Sequence, residues 1–221
     1  KTDQVYMLGN SQDDLDRVSG DIVIATDRMS TYPVLGMKKF KKRFYFVQDY
    51  EPYFFARGSS SILTEQSYAS KNNFACICAS PWLKKRMERL GNPAISFPLA
   101  VDHSVYHLHK DQQRSNHVIA FYVRRSTPRR LYELGLLALR ALFDLGDNFE
   151  IITFGENDLP DLGIPVKVRH AGILDAEALA GLYNQCTIGF VLSGTNYSLV
   201  PNEMMACGLP VVDIDAEHTR L

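Results

Sequence analysis

The chain has 221 residues, enough to bury the core of one large domain or two small ones. Its 46% hydrophobic and 22% charged residues are ordinary for a globular protein, and a net charge of −1 disfavours general binding to nucleic acid. No apolar run approaches the roughly 20 residues that a membrane-spanning helix needs.

The first half of the chain alternates strand-like runs with helical segments. The segment "SPWLKKRMERLG" predicts a helix that Ser80 caps, with Pro81 in the first turn and Gly91 at the end. Runs rich in β-branched and aromatic residues predict buried strands, and their alternation with helices predicts a parallel sheet. These predicted strands are residues 21–26, 43–47, 74–79 and 94–97.

The second half repeats this pattern after a polar segment, residues 101–116, that lacks a clean period and that we interpret as a linker. Asp175 is the predicted cap of the middle helix. The predicted strands are residues 117–123, 149–155, 166–172, 187–192 and 210–214, and the predicted helices are residues 129–146, 175–186 and 198–207.

This order of elements predicts an α/β protein with two Rossmann-like lobes of parallel sheet that face a cleft. The first lobe would comprise residues 1–100 and the second residues 117–221. Ligands of such sheets bind beyond the carboxyl ends of the strands. We expect both lobes to be incomplete in this chain, so that it could be inactive alone.

The segment "SGTNYSLVPNEMMACG" links a strand to a helix in the second lobe. Ser198 is a plausible N-cap, and the free backbone N–H groups of Leu199 and Val200 would suit a phosphate. Glu203 lies close to the same helix end, and a carboxylate can accept hydrogen bonds from both hydroxyls of a ribose. The alternative is that Glu203 only stabilises the helix dipole.

The segment "FYVRRSTPRR" places four arginines where another strand leads into a helix. Arginine binds phosphate through paired N–H groups, although a solvated basic surface would look the same. Both segments fall at the same predicted edge of one sheet, which favours a phosphate site. Gly155 ends the strand-like run "FEIITFG" and is a further candidate on the donor side. Neither a P-loop nor a G-x-G-x-x-G motif is present.

These motifs resemble glycosyltransferase family 4, which has the GT-B fold. "NEMMACGLPVV" resembles the family's E-x-M-A-x-G-x-P-V-V motif, and "RRSTPRR" resembles its diphosphate-binding segment. The resemblance implies a nucleoside-diphosphate sugar as donor, with Glu203 holding its ribose and Arg124 and Arg130 neutralising its diphosphate. Leu199 and Val200 would contribute backbone N–H groups. The family implies no metal or other cofactor.

The segments "FYFVQDYEPYFFARGS" and "ATDRMSTYPV" resemble rhamnosyltransferases that build bacterial surface glycans. This resemblance implies transfer of rhamnose, from dTDP-rhamnose as the candidate donor, to a polysaccharide or lipid-linked glycan in the cytoplasm. Thr195 replaces a second family glutamate, and Gln48 replaces a first-lobe histidine. Asp49 and Glu51 follow the end of the predicted strand 43–47 and are our candidates for acceptor contact or general base. The alternative is that both are turn residues at the strand end.

Several alternatives remain open. The chain could be a degenerate module that binds glycans or proteins without catalysis, or a sugar-nucleotide epimerase on the same fold. Glycoside hydrolysis would need two acids on opposite sides of the bond, which one strand face does not provide. His103, His107 and His109 have spacing that could hold a metal, but we expect none. "PYFFARGSSS" is aromatic and basic enough to suggest peripheral contact with the inner face of a membrane.

Overall fold

A computed structural model of the chain describes Gly9 and residues 11–220. The chain divides into two compact units, Lys1–Pro98 and Leu99–Leu221. Within the described residues, every helix is too short or too polar to cross a bilayer. Each unit is built around its own sheet, and all strands in both sheets are parallel.

The described residues of the first unit form a four-stranded sheet in the order β1-β2-β3-β4. A short 3₁₀ helix, Glu51–Phe54, follows the second strand. The elements are α1 (Gln12–Leu15), β1 (Gly20–Ala25), α2 (Arg28–Gly36), β2 (Phe40–Val47), α3 (Ser59–Ser67), β3 (Ala75–Cys78), α4 (Pro81–Arg89) and β4 (Ala94–Ser96).

Helix α4 begins and ends as its sequence predicts. The Ser80 hydroxyl accepts a hydrogen bond from the backbone N–H of Leu83 at 3.1 Å, which satisfies one of the free donors of the first turn. Gly91 has φ +84°, a left-handed conformation in which a glycine pays no Cβ penalty. The sequence did not predict helix α2, which contains Pro33.

The sheet of the second unit has five strands in the order β7-β6-β5-β8-β9. Helices α6 and α7 contribute to the core cluster on one face, and α5 contributes to the cluster on the other. The elements are β5 (Val118–Tyr122), α5 (Tyr132–Leu145), β6 (Glu150–Phe154), β7 (Lys167–His170), α6 (Ala176–Gln185), β8 (Ile188–Phe190), α7 (Leu199–Ala206) and β9 (Val211–Val212).

The start of α5 differs from the prediction of a helix from residue 129. Residues Pro128–Arg130 form a 3₁₀ turn, and Leu131 is left-handed with φ +49°, so the α-helix starts only at Tyr132. The predicted cap of α6 is confirmed, because the Asp175 carboxylate accepts from the N–H of Ala178 at 2.9 Å.

The segment 101–116, which the sequence suggested as a linker, packs within the second unit. Tyr106 is 8% exposed and stacks on Tyr183 with ring centroids 6.1 Å apart. The Arg114 guanidinium donates to the carbonyl oxygens of Tyr183 and Cys186 at 2.8 Å and of Cys207 at 2.6 Å. The guanidinium therefore donates to free carbonyl oxygens at the C-terminal ends of both α6 and α7, where a positive charge interacts favourably with the helix dipole.

Candidate functional site

Strands β5 and β8 are neighbours in the second sheet, so the segments that follow them leave at the same edge. We call residues 124–130 the arginine segment and residues 193–198 the β8–α7 loop. The backbone N–H of Gly194 donates to the carbonyl oxygen of Arg129 at 2.8 Å. The structure thus brings together the two segments that the sequence suggested as phosphate contacts.

The N-termini of α5 and α7, which follow these two segments, lack side-chain caps. Ser198 occupies the N-cap position of α7 but makes no capping hydrogen bond, and Leu131 supplies none to α5. Helices α4 and α6, by contrast, are capped by Ser80 and Asp175. Backbone N–H groups at an uncapped helix start are suited to an anionic ligand.

Leu199 and Val200 open helix α7 and differ in their surroundings. Leu199 is 42% exposed, whereas Val200 packs partly buried against the core cluster of α6 and α7. Their side chains offer no polar group, so any contact with a ligand would come from their backbone N–H groups.

Glu203 is the fifth residue of α7 and so lies just beyond the first turn of the helix. The helix-dipole effect falls off within the first turn, so this position weakens that alternative. Glu203 is half-buried, and burial raises the pKa of its carboxyl group. It forms no side-chain hydrogen bond or salt bridge with a described residue, so its carboxylate oxygens can receive donors from a ligand.

Two tyrosines lie close enough to Glu203 to sense its charge. Burial first, and then the charge of Glu203, raise the pKa of both Tyr106 and Tyr183. Tyr183 is fully buried, and its hydroxyl has no hydrogen-bond partner among the described residues. Tyr106 and Tyr183, which the sequence analysis did not include in the site, therefore belong to the surroundings of Glu203.

The arginines divide into two kinds. Arg125 is held by Glu156, which accepts from its backbone N–H at 2.6 Å and from its Nε at 3.1 Å. Arg124 is exposed, and its side chain forms no hydrogen bond or ion pair with a described residue. The guanidinium carbon of Arg130 lies 5.7 Å from the centre of the Tyr122 ring, which holds that side chain over the end of β5.

Gly155 and Thr195 are shaped by packing. Gly155 has φ +102°, and a Cβ there would lie 2.7 Å from the Tyr122 ring and 2.8 Å from the Val123 oxygen. The close approach of the β5 and β6 ends thus requires a glycine. Thr195 is 2% exposed, so it forms part of the buried base of the β8–α7 loop.

The first-lobe candidates lie beyond β2, which ends at Val47 as predicted, so they do not share a strand face. The exposed Gln48 donates from Nε2 to the carbonyl oxygen of Thr26 at 3.1 Å, which ties the ends of β1 and β2 together. Asp49 lies in the bend after the strand and accepts from the N–H of Tyr50 at 2.8 Å.

Glu51 opens the 3₁₀ helix and stabilises the start of α2. Its two carboxylate oxygens accept from the N–H of Arg28 at 3.1 and 3.2 Å, and one also accepts from the Tyr45 hydroxyl at 3.2 Å. Burial raises the pKa of Glu51 against the opposing effect of the Arg28 N–H. These contacts describe a capping carboxylate and leave little capacity for a general base.

His103, His107 and His109 do not form a metal site with other described side chains. His109 Nδ1 lies 3.1 Å from Gln112 Oε1, and the ring centroids of His107 and His109 are 5.0 Å apart. Over the described part of the chain, no three His, Cys, Asp or Glu side chains are grouped as metal ligands.

Sequence reasoning missed Asp213 and His218, which contact the β8–α7 loop. Both follow β9, which ends at Val212, so Asp213 lies at the carboxyl end of the strand and not inside it as the predicted strand 210–214 had it. That position was a usable signal, because polar residues at this edge of a parallel sheet face the ligand side.

A family model described as "WsaF, C-terminal domain" matches residues 117–220. The O-antigen biosynthesis protein RfbC of Myxococcus xanthus is 37% identical over 204 residues, which are 90% of this chain and 16% of RfbC. The chain therefore spans about a sixth of that relative.

Two solved structures illustrate the likeness of the fold. Sucrose-phosphate synthase from Thermosynechococcus elongatus matches with a TM-score of 0.67 and 17% identity, over 87% of this chain and 55% of its own. A mutant of S. aureus TarM, in complex with Fondaparinux, α-GlcNAc-glycerol and UDP, matches with a TM-score of 0.66 and 12% identity, over 95% and 43%. These likenesses in fold, together with the parallel sheets of both units, confirm the predicted α/β fold class.

Proposed function

We propose that this chain contains the nucleotide-sugar site of a glycosyltransferase that acts in the synthesis of a surface glycan. The observation that carries the proposal is the hydrogen bond between Gly194 and Arg129, which sets the arginine segment beside the loop that leads to Glu203. The names of RfbC and of the structural neighbours support transfer of a sugar.

In this proposal, the donor diphosphate lies at the start of α7. The backbone N–H groups of Leu199 and Val200 bind a phosphate, and Arg124 and Arg130 neutralise the charge that develops on the leaving group. Glu203 accepts hydrogen bonds from the nucleoside sugar, either from both hydroxyls of a ribose or from the 3′-hydroxyl of the deoxyribose in dTDP. The uncapped helix start, the exposed Arg124 and the unpaired Glu203 carboxylate support this assignment.

We further propose that the sugar is a deoxyhexose, with rhamnose on dTDP as the first candidate. Thr195 stands where the resembling family carries a second glutamate, so a carboxylate that would bind sugar hydroxyls is missing there. A 6-deoxy sugar has one hydroxyl fewer to bind. A comparison of turnover with dTDP-rhamnose and UDP-glucose tests this proposal, and faster turnover of UDP-glucose would contradict it.

The acceptor is proposed to be a polysaccharide or a lipid-linked glycan on the cytoplasmic side of the membrane. In "PYFFARGSSS", Tyr53 is 48% exposed and Arg57 is exposed, which supports contact with a membrane surface. Flotation with anionic liposomes tests this contact. Protein that stays at the bottom of the gradient would remove it from the proposal.

Calorimetric titration with dTDP, UDP and GDP tests the donor site. We expect one nucleotide to bind, and Glu203→Ala and Arg130→Ala to weaken it by about tenfold or more. Asp144→Ala, an exposed acid near the other end of α5, is the control and should bind normally. Binding without turnover of any sugar nucleotide would instead favour a non-catalytic module, in keeping with the structural use of Glu51. No binding would contradict the donor site and would favour a degenerate module that binds glycans or proteins.

A further inference from the structure

The segment that follows β9 forms hydrogen bonds with the start of the β8–α7 loop. Strands β8 and β9 are neighbours, with Phe190 opposite Val212, so the two loops leave the sheet side by side. Asp213 Oδ1 accepts from the backbone N–H of Ser193 at 2.9 Å and from that of Ile214 at 2.7 Å. The Asp213 carboxylate therefore fixes both the start of the β8–α7 loop and the backbone of the segment that follows β9.

His218 contacts the other backbone polar group of Ser193, its carbonyl oxygen. Its Nε2 lies 2.6 Å from the carbonyl oxygen of Ser193. Because a carbonyl oxygen only accepts hydrogen bonds, Nε2 carries the proton in this contact. Both backbone groups of Ser193, which is fully buried, are thus bound by side chains from beyond β9.

The segment that carries His218 is itself folded into a compact turn. The Thr219 hydroxyl donates to the carbonyl oxygens of Ile214 at 2.5 Å and of Ala216 at 3.1 Å, and the Thr219 N–H also donates to Ala216 at 3.1 Å. These bonds bring the chain back toward the β8–α7 loop, so the position of His218 is determined locally.

We propose that Asp213 and His218 are positioning residues for the nucleotide-sugar donor. They hold Ser193 from one side while Arg129 holds Gly194 from the other, and this fixes the path of the loop into α7 and Glu203. Misplacement of a binding group by about 1 Å is enough to lose much of its effect. This inference rests on the proposed function, because the loop is assigned to the donor.

The test compares variants that remove each contact with variants that keep it. Asp213→Ala and His218→Phe remove the acceptor and the donor, whereas Asp213→Asn and His218→Gln retain an oxygen and an N–H in similar places. Asp215→Asn is the control, since Asp215 is exposed and pairs with Arg220 at the surface. The measurements are thermal unfolding and calorimetric titration with UDP and dTDP.

We expect Asp213→Ala and His218→Phe to weaken nucleotide binding about tenfold, while the conservative variants stay within about threefold of the wild type. A purely structural role would instead lower the unfolding temperature of all four in proportion to any loss of binding. If the wild type binds and the removing variants bind equally well, the positioning role is wrong. If the wild type binds neither nucleotide, the proposed function itself fails, and this inference falls with it.

Discussion

Gly194 approaches Arg129 so closely that the two segments behave as one structural unit. Besides the 2.8 Å hydrogen bond, a Cβ added to Gly194 would lie 3.2 Å from the Arg129 carbonyl oxygen and 3.1 Å from Leu131. A side chain at residue 194 would therefore push the β8–α7 loop away from the arginine segment.

Gly194→Ala is expected to destabilise the fold by about 1–3 kcal/mol, the usual cost of overpacking, and to weaken nucleotide binding. Gly181→Ala is the matched control, because no atom lies within 4 Å of its added Cβ and it sits inside α6. Denaturant unfolding should show Gly181→Ala unchanged or more stable by about 0.5–1 kcal/mol. Equal effects of the two substitutions would argue against the close approach.

Glu203→Gln should raise thermal stability at neutral pH while it weakens nucleotide binding. Burial raises the pKa of Glu203 in the folded state above its ordinary value of 4.5, so the ionised form opposes folding at higher pH. The gain from glutamine should be largest near pH 7 and should vanish as the pH falls below about 4, where the wild-type carboxyl is protonated in both states. Thermal unfolding from pH 3.5 to 8 measures it. A glutamine variant that is less stable at pH 7 would contradict the account.

Glu51→Ala should destabilise the protein by about 1–3 kcal/mol, because it leaves the Arg28 N–H and the Tyr45 hydroxyl without their acceptor. Glu65→Ala breaks an exposed ion pair with Arg57 and should cost less than about 1 kcal/mol. Chemical unfolding of both variants checks this difference. If Glu51→Ala keeps full stability but loses activity, a catalytic role would replace the capping role.

Arg114→Met should cost at least about 1.5–3 kcal/mol, the range for a hydrogen bond that involves a charged group, because three carbonyl oxygens at helix ends lose their donor. Arg220→Met removes an exposed pair with Asp215 and serves as the control, with little expected change. Similar unfolding free energies for the two variants would show that the guanidinium does not join α6 to α7.

We expect Arg124→Gln to affect mainly nucleotide binding and Arg125→Gln to affect mainly the stability of the fold. Arg124 is exposed and forms no side-chain bond with a described residue, so its loss should weaken nucleotide binding by roughly tenfold at unchanged unfolding temperature. Arg125 is bonded to Glu156, so its loss should lower the unfolding temperature with little effect on binding. Calorimetry and thermal unfolding of both variants measure these effects, and the reverse pattern would contradict our assignment of the two arginines.

The sequence predicted features that depend on local chemistry. Residue type and period predicted the helix caps Ser80 and Asp175 and the parallel strands, and the structure contains them. They also predicted that the arginine segment and the β8–α7 loop share one edge of the sheet, as they do. Helix α2 escaped prediction because Pro33 lies within it and its apolar residues lack a clear period.

Features that depend on distant partners were not predictable. The polarity of residues 101–116 resembles that of a linker, yet Arg114 is satisfied by carbonyl oxygens about 70 to 90 residues away. Arg124 and Arg125 look alike in sequence, and only the position of Glu156 distinguishes them. The pairing of Asp213 and His218 with Ser193 likewise depends on the neighbouring positions of β8 and β9.

The central claim is that Glu203 binds the ribose of a nucleotide, and a double-mutant cycle tests it most directly. Calorimetry would compare UDP with its 2′,3′-dideoxy analogue, and dTDP with its 3′-deoxy analogue, in the wild type and in Glu203→Ala. We predict that removal of the hydroxyls weakens wild-type binding about tenfold and has little effect in the variant, because the same hydrogen bonds are then already lost. An equal loss in both backgrounds would place the ribose away from Glu203 and contradict the account.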